Sequence, residues 1–269
     1  MFKRQKLCTE EEDGWTQLHI AALKGNAHLC ASILESAANP WTLVFEKTHK
    51  SKSTVLHCAV LGGYIQCIHC IISHLVGEIS PPADVLTILT YQSCPIRLPS
   101  CIFVHVSEKS LAESFGPDEV VSSPRRTGFS ALDFAVITDN TCATTMLLDA
   151  MHWAYSRVVS VPSPYAIRNH IANDILQVAI AKGNDEIVNT LLDRGACLEV
   201  ETDDERGMRP IHWAVAFGRV QIIRSLLQRG ADPLSTTAVS QETVQDIAMQ
   251  SLGNSREIFE MFDQRMNEL

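Results

Sequence analysis

RPIHWAVAFGRVQIIRSLLQRGADP, residues 209–233, reads as two short amphipathic helices joined at Gly218-Arg219. Near the start of the chain, WTQLHIAALKGNAHLCASILESAANP, residues 15–40, says nearly the same thing. Setting Arg209 on Thr16 brings Ile211 onto Leu18, His212 onto His19, Ala214 onto Ala21 and Gly218 onto Gly25. Ile222 and Ile223 then fall on Leu29 and Cys30, and Leu226 and Leu227 on Ile33 and Leu34. A catalytic domain has little reason to repeat itself in this way. A stack of identical units must, because each unit buries its apolar face only against a neighbour.

Each unit opens on a residue suited to capping a helix: Thr16, Thr54, Ser130, Asp174 and Thr243, with Arg209 the exception. Ser, Thr and Asp there accept hydrogen bonds from the open amides of the first turn. A small-residue step follows, as in Ala21-Ala22, Ala59-Val60, Ala135-Val136, Ala179-Ile180 and Ala214-Val215. The break between helices falls at Gly25-Asn26, Gly63-Tyr64, Gly183-Asn184 and Gly218-Arg219, with Asp139-Asn140 standing in once. Glycine there supplies the left-handed backbone that ends a short helix. The second helix then presents apolar pairs at helical spacing, such as Ile187/Val188 with Leu191/Leu192.

The pattern resembles the ankyrin repeat, a helix–turn–helix unit of about 33 residues with a T-P-L-H-x-A opening. The resemblance implies an all-α ankyrin-repeat solenoid with hairpin-like loops, read here as a single array over 1–269 with six repeats near 13–45, 52–76, 127–152, 173–206, 207–240 and 241–263. The last keeps only the skeleton, as a capping repeat does. Between Thr54 and Ser130 the interval is more than twice the family period of about 33 residues. The excess, 77–125, is either a degenerate repeat or an insertion, and the lack of a T-x-L-H-x-A step inside it favours an insertion. A smaller excess occupies 152–172.

Apolar residues make up 46% of the 269 and charged residues 20%, so a sizeable core is within reach. The net charge of −9 argues against a nucleic-acid or anionic-membrane surface. No run of 18 or more apolar residues occurs and the N-terminus lacks a signal-peptide core. The nine cysteines are scattered and odd in number, which reads as a protein of a reducing compartment, cytoplasmic or nuclear, and the chain is expected to be a monomer.

What the resemblance implies for function is protein binding on a concave face lined by first helices and hairpin tips, with no catalytic residue and no cofactor. Two positions after the small-residue step stand Leu23, Leu61, Ile137, Ala181 and Ala216, followed in the last case by Phe217. At the hairpin edge stand Trp15, Phe129 and Met208. Together they predict an apolar stripe that takes a protein or peptide partner, unless the inserted segments fold back and cover it. Glu10, Glu11, Glu12 and Asp13, with Glu199, Glu201, Asp203, Asp204 and Glu205, favour a partner with basic flanks if they are more than solvated loops. Trp213 occupies a position usually held by Leu and reads as core.

Other chemistry is poorly supported. CIHC at 67–70 has the spacing of half a zinc site, with Cys94 and Cys101 nearby, but the second pair lacks ligand spacing. Cys67 and Cys70 also sit where buried small residues serve in other units. His19, His57 and His212 read as hydrogen-bonding residues, since Asp133 and Asp246 replace them elsewhere. Ser123, before Pro124 and two arginines, is a candidate phosphate acceptor. Two rivals to a binding scaffold stand: a substrate-recognition adaptor, for instance of a ubiquitin ligase, with its recruitment box in 77–125, and an enzyme or zinc protein built on the insertions.

Overall fold

A computed structural model describes residues 14–49, 51–77, 81–91, 129–158, 173–199, 207–252 and 256–268. The helices are α1 (Gln17–Lys24), α2 (Ala27–Ser36), α3 (Pro40–Phe45), α4 (Val55–Gly62), α5 (Ile65–Val76), α6 (Pro82–Thr90), α7 (Ala131–Ile137) and α8 (Thr141–Val158). They continue with α9 (Asn173–Lys182), α10 (Asp185–Asp193), α11 (Pro210–Ala216), α12 (Val220–Gln228), α13 (Val244–Leu252) and α14 (Arg256–Glu268). The described residues contain no β-strand, only isolated bridges such as Lys47 with Thr54 and Thr236 with Thr243. The fold is all-α, as the repeat pattern predicts.

The helices group into two compact units, α1–α8 and α9–α14. Within the first, α4 packs between α1 and α7, and α5 packs between α2 and α8. Within the second, α11 packs between α9 and α13, and α12 between α10 and α14. First helices therefore stack on first helices and second on second. The small-residue step makes this possible, because Ala21, Ala22, Ala59, Ala135, Ala179 and Ala214 are all buried where the stacks meet. Leu34, Leu56, Ile68, Ile71 and Leu147 complete the core of the first unit, each side chain contributing about 2 kcal/mol of burial.

The opening of each repeat is built on the backbone amide of the capping residue. His19 Nδ1 accepts from Thr16 N–H at 3.3 Å, His57 Nδ1 from Thr54 N–H at 3.3 Å, and His212 Nδ1 from Arg209 N–H at 3.0 Å. Asp133 and Asp246 do the same for Ser130 and Thr243, at 2.7 and 2.9 Å. An acceptor three residues into the helix is all the motif requires, so His and Asp exchange freely there. It also explains Arg209. Its amide serves the motif while its guanidinium pairs with Glu199 at 3.0 Å. Gln177 fills the same register in α9 and is buried.

The break between helices uses left-handed backbone at Gly25 (φ 81°) and Gly183 (φ 77°), and Asp139 adopts the same conformation at φ 60°. The next residue then serves one of two ends. Asn26, Asn140 and Asn184 accept from the amides of Leu29, Ala143 and Ile187 at 2.9–3.0 Å, capping the second helix. Tyr64 and Arg219 give no such cap. They cover the glycine of the preceding repeat instead. A Cβ on Gly25 would stand 2.6 Å from the Tyr64 ring, and one on Gly183 2.7 Å from the Arg219 guanidinium. Arg219 also donates to the Ala181 carbonyl at 2.6 Å.

Both excess segments contain helix among the described residues. The excess at 77–125 begins with α6, which packs against α7 and α8 inside the first unit. The excess at 152–172 begins as helix, because α8 runs on to Val158 and buries Ala154 and Tyr155. Cys94, Cys101, Ser123 and the rest of 92–125 lie outside the described residues.

Candidate partner-binding surface

The predicted stripe divides between surface and core. Leu23 and Leu61, at the ends of α1 and α4, are half-exposed. They belong to helices packed side by side, and the Leu23 carbonyl would stand 2.7 Å from a Cβ on Gly62. Tyr64 lies against the same glycine and remains 44% exposed. Trp15 is half-exposed at the other end of α1, its ring edge-on to His19 with centroids 6.1 Å apart. The first unit therefore carries Leu23, Leu61 and Tyr64 as one cluster, with Trp15 about 12 Å along the helix at 1.5 Å per residue.

Four of the predicted residues do not reach the surface. Ile137 is 2% exposed, Phe129 6%, Met208 0% and Ala216 1%. They belong to the core. Phe129 packs against Phe134 with centroids 5.8 Å apart, and its carbonyl accepts the His57 Nε2–H at 3.0 Å. Position along the helix is thus a poor guide to exposure, since α7 and α11 are buried at every residue. Ala181 is buried as well. Phe217 remains half-exposed in the second unit, stacked on Trp213 at 5.7 Å with the rings 15° apart. Trp213 itself is buried, as the sequence indicates.

Tyr64 was not singled out by sequence reasoning. Its signal was present: a large aromatic directly after the Gly break, where three other units carry Asn.

The hairpins that precede α4 and α13 share one construction. Thr48 N–H donates to the Ser53 carbonyl at 3.0 Å, and Thr48 Oγ1 accepts the Ser53 amide at 3.0 Å and meets Ser51 Oγ at 2.6 Å. Thr237, Glu242 and Ser240 reproduce this at 3.0, 3.0 and 2.7 Å. In each, the residue before the last is left-handed: Lys52 at φ 53° and Gln241 at φ 54°. The scaffold is the same and the outward side chains differ.

The acidic residues invoked for a basic partner contribute little among the described residues. Glu199 is engaged by Arg209, and Glu10–Asp13 and 201–205 lie outside them. Among the described residues no group of three or more His, Cys, Asp or Glu is placed to hold a metal ion. Cys30 of α2 and Cys67 of α5 are buried. Burial, and after it the neighbouring Cys67 thiol, pushes the Cys30 thiol up to about 12. A thiol that resists ionisation is a core residue rather than a nucleophile. No described helix is long and apolar enough to cross a membrane.

Residues 160–237 match the family model for ankyrin repeats in three copies. That segment carries ankyrin repeats. The ankyrin repeat protein FPV223 of fowlpox virus (strain NVSL) is 26% identical over 118 residues, which is 44% of this chain and 68% of that protein. The human ASB11 ankyrin repeat domain superposes with a TM-score of 0.53 at 16% identity, over 93% of this chain and 83% of that one. An ankyrin repeat domain from Acinetobacter baumannii AYE, ABAYE2397, gives a TM-score of 0.55 at 17% identity, over 93% and 97%. These likenesses establish the fold. Ankyrin repeats generally mediate protein–protein interaction, and the family is typically non-catalytic.

Proposed function

We propose that this protein is a non-catalytic binding module that holds a protein or peptide segment on the first helices of its first ankyrin unit. The observation that carries the reading is the Leu23, Leu61 and Tyr64 cluster. Three apolar side chains stay open to solvent on adjoining repeats, while the matching Ile137, Ala181 and Ala216 are buried. Apolar anchors gathered in one place are where binding energy concentrates, and Trp15 extends the same line. The three repeat histidines each accept an amide of their own repeat, a structural task.

The test compares affinity capture by the wild-type chain with capture by a Leu23→Lys/Leu61→Lys variant, circular dichroism verifying that both are folded. Both positions are half-exposed, so the variant keeps its helices. Partners held by the wild type and released by the variant support the reading. Equal capture by the two proteins refutes it.

A further inference from the structure

We infer that the outward side of the first repeat, formed by α1 and α2, is a weak homodimer face on which a second copy of this chain docks head to head. The face shares no residue with the Leu23, Leu61 and Tyr64 cluster and does not depend on it. Three registers of each repeat turn toward the repeat before it. In the first helix the register holds Cys58 and Phe134; in the second it holds Cys67 and Ala143, and four residues on, Ile71 and Leu147. None of the six is more than 1% exposed, and Trp213, Ile222 and Leu226 are buried in the same registers of the second unit. Contacts across the stack show what covers them. The Phe134 ring meets His57 of the preceding repeat with centroids 5.8 Å apart. The Cys30 thiol hydrogen-bonds the Cys67 sulfur of the following repeat, and the Ser225 hydroxyl, beside Leu226, donates to Asn189 Oδ1 of the repeat before.

The first repeat has no described repeat before it, yet it keeps apolar residues in all three registers: Ile20, Leu29 and Ile33. Ile20 and Ile33 are half-exposed and Leu29 is 41% exposed. Leu29 and Ile33 share one side of α2, and α2 packs on α1. Gln17, Lys24 and Ser32, all exposed, border them. An apolar centre inside a polar rim has the anatomy of an interface, whereas a terminal repeat that meets only water needs a polar outer face. The last repeat is capped in that way. The register that buries Leu34, Leu148 and Leu227 holds the exposed Asp263 there, and the register that buries Leu18 and Leu56 holds Gln245.

This contrast selects the occupant. Stacking the tail of one chain on the head of the next would bury the Asp263 carboxylate where inner repeats bury Leu, and a buried unpaired charge is costly. A head-to-tail contact also runs on into a filament. Two copies meeting head to head instead put Ile20, Leu29 and Ile33 of each against the same residues of the other. That arrangement leaves Asp263 in water and closes at two copies. Helices of 8 and 10 residues present less than the ~800 Å² per partner of a stable interface, so the dimer is weak and forms as concentration rises.

Sedimentation velocity of the full chain from about 5 to about 500 µM tests this. The mass should rise from 29.8 kDa toward twice that value. Added salt should not weaken the association, because two chains at −9 each repel less when screened. Leu29→Glu/Ile33→Glu should raise the dissociation constant at least about tenfold, circular dichroism verifying that the variant is folded. A second readout leaves the face intact. Ser32→Cys treated with a bis-maleimide should give a cross-linked dimer well above the wild type, whose Cys142 is exposed, and Gln250→Cys should not. A chain that stays monomeric at every concentration leaves the face to another protein or to the chain's own residues, and overturns the inference. Association that grows past two copies, that survives Leu29→Glu/Ile33→Glu, or that cross-links equally from both cysteines overturns it as well. A dimer lost only in Leu23→Lys/Leu61→Lys belongs to the first-helix face; that result overturns the head-to-head dimer and leaves binding by that face standing.

Discussion

His57 offers the sharpest check on how the repeats hold together. Its Nδ1 accepts from the Thr54 amide at 3.3 Å and lies 2.8 Å from the Thr54 hydroxyl. Its Nε2–H donates across to the Phe129 carbonyl at 3.0 Å. The ring is fully buried, and both nitrogens are committed in the neutral tautomer. Burial is the largest cause lowering the imidazole from its ordinary 6.5 to about 4, against a weaker opposing effect of the Phe129 bond. A group whose folded value is depressed takes up its proton preferentially in the unfolded chain. Stability is therefore fully present above pH 6.5 and is lost as pH falls toward 4. At 1.36 kcal/mol per unit the loss amounts to about 3 kcal/mol.

The assay is urea unfolding of the wild type and of His57→Gln between pH 8 and pH 4.5. Gln removes the titration while keeping a donor and an acceptor, at an expected cost near pH 8 of about 1–2 kcal/mol. The advantage of the wild type should shrink with falling pH and reverse near about pH 5, where the penalty on His57 reaches about 2 kcal/mol. A difference between the two proteins that stays constant from pH 8 to 4.5 would refute the argument. It would mean that His57 titrates alike in both states.

Further expectations follow from single positions. Gly25→Ala should destabilise by about 1–2 kcal/mol in denaturant melts, combining left-handed strain with collision against Tyr64. Tyr64→Ala in the same chain should recover only the collision part, and full recovery would show that the φ of Gly25 costs nothing. Lys52→Gly should leave stability unchanged or raise it by roughly 0.5 kcal/mol, since the strain it relieves exceeds the added chain entropy slightly; a clear loss would mean that the lysine serves the fold. Ile137→Lys should cost at least about 4 kcal/mol through a buried charge, whereas Leu61→Lys should cost about 1 kcal/mol. Equal melting temperatures for those two variants would contradict the burial that separates them.

Most of the fold is legible in the sequence because it is written several times. A capping residue, an acceptor three places on, a small pair and a Gly break recur at 16–25 and 209–218 with the same spacing, and the structure gives each a stated job. The acceptor is the clearest case. His, His, Asp, His and Asp at 19, 57, 133, 212 and 246 look like variation, but all receive one backbone amide. The candidate surface is less legible. Leu23 and Ile137 occupy the same register, and only one is exposed, because exposure depends on what packs beyond the helix. Repeat periodicity carries no record of that. α6 is less legible for a related reason: it packs on α8, yet the stretch around Val85–Leu89 shows none of the T-x-L-H-x-A step that marks the other units.

The central claim is that partners are held by the first-helix face of the first unit. The most direct measurement places a photo-crosslinking amino acid at Leu61, and in a separate chain at Arg224, which is exposed on α12, a second helix. Illumination in lysate should join a partner through position 61 and leave position 224 at background. Crosslinks of equal yield from both positions, or from 224 alone, would contradict the account.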